Sequence, residues 1–113
     1  MNKVLLIGKL TKDPELKETS NGKVFFFGSL AVRRRMNKEK VDFIHFEIWG
    51  KSAATFCDYT KKGMLLSIFG ELQTSQFVTR DDRQVSVTKV LVSEWACLER
   101  MPENETNQFD AAI

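Results

Sequence analysis

The 113-residue chain is 42% hydrophobic with nine Phe, enough for one domain with a real core, which excludes a generally disordered chain. No apolar run approaches the roughly 20 residues of a membrane span. The charge of +2 divides unevenly: residues 1–98 hold 16 Lys and Arg against 11 Asp and Glu, a balance of +5, whereas residues 99–113 balance at −3. A basic body with an acidic tail suits a polyanion binder.

Residues 3–10 form the first β-like run. Its apolar stretch stops at Gly8-Lys9 with no small-residue cleavage site, so it reads as a strand and not as a signal peptide, and the cytoplasm is the expected compartment. Lys12-Asp13-Pro14 opens a polar loop that ends at Ser20-Asn21-Gly22. The second run, residues 23–35, contains Phe25-Phe26-Phe27, whose rings must divide between two faces. Asn37-Lys38-Glu39-Lys40 is a polar turn into residues 41–49. That third run alternates: Ile44, Phe46 and Ile48 form a core face, while Val41, Phe43, His45, Glu47 and Trp49 point the other way. A core would not need this second, mixed set.

In residues 51–62, Ala53, Phe56, Cys57 and Thr60 follow helical spacing. Ser52 is placed to cap the helix start, Lys61 and Lys62 suit its C-terminal dipole, and Gly63 suits a left-handed stop. Residues 64–78 and 84–98 are the fourth and fifth runs, joined by the hairpin loop Thr79-Arg80-Asp81-Asp82-Arg83. An all-β chain of five strands, with one short helix between the third and fourth, has the order of a five-stranded Greek-key OB barrel. Its domain is residues 1–98, followed by a short, acidic, flexible tail, residues 99–113.

The candidate chemistry favours binding. Gly50-Lys51-Ser52 has the context of a phosphate loop, but the full motif needs a Gly where His45 stands. No nucleophile accompanies His45, and no acids converge as nuclease or glycosidase chemistry requires, so no enzyme activity is expected. One His and two distant Cys do not make a zinc site; no metal or cofactor is expected, and Cys57 and Cys97 read as reduced core residues. Arg33-Arg34-Arg35 is the densest basic cluster, and alternation sends Arg33 and Arg35 to one face and Arg34 to the other. Cations beside displayed rings are what single-stranded nucleic acid needs: cations neutralise phosphates and rings stack on bases of any identity. Taken singly, Trp49 and Phe77 read as core or subunit-interface residues or as displayed rings of this kind; Gln73 and Ser75, on the same strand face, argue against full burial of Phe77.

The segment Asn2-Lys3-Val4-Leu5-Leu6-Ile7-Gly8-Lys9-Leu10-Thr11-Lys12-Asp13-Pro14-Glu15-Leu16 closely resembles the opening of bacterial single-stranded DNA-binding proteins. Asn21-Gly22-Lys23, Ser29-Leu30-Ala31-Val32, Trp49-Gly50-Lys51-Ser52-Ala53, Tyr59-Thr60-Lys61-Lys62-Gly63, Gly70-Glu71-Leu72-Gln73-Thr74 and Val87-Thr88-Lys89-Val90-Leu91-Val92 match in order and spacing. The resemblance implies an OB fold, a homo-oligomer (tetramer, or dimer), single-stranded DNA as partner, and roles in replication, recombination and repair. It places Phe43, Trp49 and Phe77 on base-stacking positions. Phosphate contacts are expected from Lys9, Arg33, Arg35, Lys51, Lys61, Lys62, Arg80 and Arg83, and further contacts from Met36 and His45.

Three departures accompany it. Met36 falls near a fourth aromatic position. Gln73, Ser75 and Gln76 stand where the family tends to carry Arg or Lys, which implies weaker and less salt-sensitive binding. The tail has neither the long linker nor the recognisable acidic tip, so tail-mediated partners are not carried over and the chain looks like a short paralogue. An OB-fold, primosome-type interaction module with weak DNA affinity is the alternative reading.

Overall fold

The computed structural model of the chain describes residues 1–99; the expectations for the acidic tail lie outside them, apart from Glu99. In chain order the elements are β1 Val4–Leu10, β2 Lys17–Glu18, β3 Val24–Arg33, β4 Val41–Trp49, α1 Lys51–Tyr59, β5 Leu65–Val78 and β6 Gln84–Cys97. The five long strands pair in the sequence β1-β5-β6-β4-β3, and β1 also pairs with β3, which closes the ring. Among the described residues only β4 and β6 run parallel; the other pairs are antiparallel. With α1 between the third and fourth long strands, this is the expected OB architecture.

Period-two patterning builds the barrel interior. Leu10 of β1, Phe26 and Leu30 of β3, Phe46 and Ile48 of β4, Leu66 and Ile68 of β5, and Val90 and Val92 of β6 are all buried. Closure needs two backbones to approach closely. A Cβ on Gly8 would collide with the Ala31 carbonyl at the β1–β3 seam, and one on Gly70 would collide with the Leu91 carbonyl where the β5–β6 register shifts. Only glycine fits either place.

Helix α1 closes one end of the barrel. Phe56 is fully buried, its ring 5.3 Å from Phe26, 5.9 Å from Phe46 and 5.0 Å from Trp95. Burying a ring of this size contributes about 1.5–3 kcal/mol. Ala53 and Thr60 are buried on the same stripe, with Cys57 half-buried beside them.

Several local expectations are corrected. Ser52 does not cap the helix: Gly50 is the N-cap with no side-chain bond, and the Ser52 hydroxyl instead accepts from Trp95 Nε1 at 3.0 Å. The helix stops at Tyr59, before Lys61 and Lys62, because Thr60 turns extended and returns both its amide and its hydroxyl to the Phe56 carbonyl. Gly63 does have positive φ, but in the following turn, where its amide donates to the Leu10 carbonyl at 2.7 Å. Two-residue β2 lies within the loop read as irregular, and β3 ends at Arg33 rather than Arg35. Cys97 is exposed, not core.

Candidate nucleic-acid interface

The residues alternating with the core project outward from β3, β4, β6 and the distal part of β5, and cross-strand register joins them into one face. Phe25 stands opposite Trp49, Ser29 opposite His45, Ala31 opposite Phe43 and Arg33 opposite Val41. His45 in turn faces Lys89 on β6, which faces Gln73 on β5; Ser75 faces Val87 and Phe77 faces Val85. Phe43, Trp49 and Phe77 are 65%, 40% and 50% exposed. All three predicted rings therefore lie on one side of the sheet.

The face holds more aromatic surface than was expected. Phe25 stacks on Trp49 with centroids 4.8 Å apart and planes at 24°, and Phe27 stacks on His45 at 5.5 Å and 19°. In the Phe triplet only Phe26 turns inward. Trp49 and His45 are thus presented as flat, supported surfaces, which reduces the conformational entropy lost when another ring settles on them. From Phe43 to Trp49, β4 runs about 20 Å at the usual ~3.4 Å per residue.

Cations border this surface. Arg33 shares the face beside Val41, Lys9 pairs with Ala31 across the seam, and Lys17 on β2 pairs with Phe25. Lys51 lies two residues after Trp49, past the N-cap Gly50, at the first turn of α1. Arg34, by contrast, forms a two-pronged ion pair with Asp42 at 2.9 and 3.0 Å. That contact raises the Arg34 pKa and lowers that of Asp42, chiefly through the hydrogen bonds.

Other predicted residues are less centrally placed. Arg35 and Met36 sit in the exposed β3–β4 connection, beyond the last paired residue of β3. Arg80 and Arg83 occupy the hairpin tip, where the Thr79 amide donates to the Arg83 carbonyl at 2.9 Å and Asp82 takes positive φ. The turn bearing Lys61 and Lys62 is tied to Asp13 and Leu10, with the Lys62 amide donating to Asp13 Oδ1 at 2.9 Å.

Sequence reasoning missed Phe25, Phe27, Lys17 and Lys89. Parity counted back from Leu30 sends Phe25 and Phe27 outward, so that signal was present; the two lysines depend on non-local register and had none. Among the described residues no cluster of three or more His, Cys, Asp or Glu is placed to hold a metal, and no helix is long and apolar enough to cross a membrane.

Comparison with known proteins follows the same outline. The profile of the single-strand binding protein family matches residues 1–98. The chain is 43% identical to single-stranded DNA-binding protein 3 of Clostridium acetobutylicum over 103 residues, covering 88% of this chain and 72% of that protein. It is 36% identical to a single-stranded DNA-binding protein of Lactiplantibacillus plantarum, covering 96% of this chain but 56% of the relative, so it spans little more than half that protein's length. The fold superposes on a Plasmodium falciparum SSB solved in complex with ssDNA, with a TM-score of 0.75 at 24% identity, over 88% of this chain and 96% of that one. The family profile and the bacterial relatives together show that the chain belongs to the single-strand binding protein family.

Proposed function

We propose that residues 1–98 bind single-stranded DNA without sequence preference and without chemistry on it, serving to coat strands in replication, recombination or repair. The observation that carries this reading is the continuous face on which Phe43, the Phe25–Trp49 stack, the Phe27–His45 stack and Phe77 lie among Lys9, Lys17, Arg33 and Lys51. Every base has a π-face, so stacking is tolerant of sequence, while the cations follow the backbone. Phe43, Trp49 and Phe77 are assigned to stacking, Lys9, Arg33, Arg35, Lys51, Lys61, Lys62, Arg80 and Arg83 to phosphates, and Met36 and His45 to additional contacts. DNA as ligand supports a cytoplasmic, nucleoid-associated location.

A homo-oligomer fits the remaining surface. β1 pairs with β5 over Val4 to Lys9, but with β3 only through Lys9 and Leu10, which leaves its other edge open before the seam. Leu5 and Ile7 project outward there, each more than half exposed. An open edge carrying apolar side chains is a template for a second copy.

Retardation of oligo-dT, a mixed-sequence single strand and a duplex by the full chain tests the function. The two single strands should bind comparably and the duplex far more weakly. Equal binding to all three, or none to either single strand, contradicts the reading.

A further inference from the structure

The ion pair between Lys89 and Glu47 lies within the aromatic face rather than at its border. Lys89 Nζ donates to Glu47 Oε2 at 3.2 Å, and the two side chains are only 21% and 12% exposed. Glu47 stands opposite Phe27 on β3 and Leu91 on β6; on its own strand it is flanked outward by His45 and Trp49. It is therefore set between the two stacked pairs. Lys89 faces His45 on one side and Gln73 on the other.

A strand whose bases rest on both stacks must carry its backbone past this carboxylate. Phosphates would seek Lys89, the one cation borne by β6 among the described residues. Its ammonium already has an anionic partner. Because both groups are largely withdrawn from water, their mutual attraction and the carboxylate's repulsion of phosphate are poorly screened by salt. On β5, Glu71 adds a second outward carboxylate next to Gln73, its amide donating to Glu71 Oε1 at 3.3 Å. Among the described residues, the one Lys or Arg at the centre of the face is thus already committed to a carboxylate.

We propose, on the reading that this face binds single-stranded DNA, that Glu47 limits affinity by holding Lys89 away from the phosphate backbone and repelling the strand. The centre of the face then grips DNA by stacking alone and leaves the phosphates to the cations at its border. A purely structural role is the competing account, since β4 and β6 share only three register positions and the pair links the two strands.

The test is a titration of oligo-dT at several salt concentrations with the full-length chain, Glu47→Gln, Lys89→Gln and the double variant, with thermal midpoints measured on the same samples. Wild type must bind first; no binding would sink the DNA reading itself. Glu47→Gln should bind about tenfold more tightly at low salt, its log–log salt slope steeper by about 0.7, the contribution of one added phosphate contact. Lys89→Gln should keep the wild-type slope, because Lys89 contributes no phosphate contact while Glu47 holds it. The double variant should return to that slope. If Glu47→Gln merely loses thermal stability and binds no better, or if Lys89→Gln flattens the slope by about 0.7, the proposal is overturned. The Lys89→Gln slope can still overturn the proposal even if Glu47→Gln fails to fold.

Discussion

Trp49 and Trp95 have the same side chain and opposite surroundings. Trp95 is fixed by its bond to Ser52 and its edge contact with Phe56, while Trp49 lies open on Phe25. Replacing Trp49 or Phe77 by Ala should therefore cost about 1–3 kcal/mol of oligo-dT affinity each, roughly 5- to 150-fold, with little change in melting temperature. Oligo-dT titrations and thermal scans check both halves of that statement. The Arg34–Asp42 pair makes a different prediction. Asp42 is held below its usual range in the folded chain, so its contribution to stability is present at neutral pH and lost as pH falls through that lowered value. Both groups are exposed, so the effect is small. Thermal scans of wild type and Asp42→Asn from pH 7 to pH 2 should converge at the acid end. Cys57, raised by burial and then by Asp58, stays protonated at pH 8, and alkylation there should be slow compared with a small free thiol.

α1 holds the barrel end through one ring. Phe56→Ala should cost about 3–5 kcal/mol and lower the melting temperature substantially, because its neighbours Phe26 and Phe46 belong to the strands and cannot collapse inward. Calorimetry would detect the loss; a change under 1 kcal/mol would mean that α1 is dispensable. The alternating β4 was legible residue by residue, since both of its faces are recorded in period two. The helix end was not: Lys61, Lys62 and Gly63 carry ordinary stop signals, but the Thr60 hydroxyl takes the Phe56 carbonyl first. β2 is two residues long and exists only because β3 offers Phe25 and Val24 as partners. Lys17 and Lys89 were illegible for the same reason, because their places depend on pairings far away in the chain. The triplet Phe25-Phe26-Phe27 was half legible: the division between faces was clear, and its direction needed the parity of Leu30.

The whole molecule combines a closed barrel, an aromatic face and an open β1 edge on one small frame. If that edge is the seam between copies, Leu5→Glu with Ile7→Glu should lower the mass found by light scattering to that of one chain, while retaining the far-ultraviolet spectrum of the fold. An unchanged mass would place the seam elsewhere or show that the chain works singly. On the proposed reading strands are coated, with the rings stacking on bases and the bordering cations following the phosphates. The most direct test of that central claim is a fluorescence titration of Trp95→Phe, which leaves Trp49 as the one indole, with oligo-dT at low and at high salt. Stacking predicts strong, saturable quenching at both salts, the same at saturation, while the affinity itself falls as salt rises because the phosphate contacts weaken. Binding without quenching would contradict it, since the strand would then follow a path that bypasses Trp49.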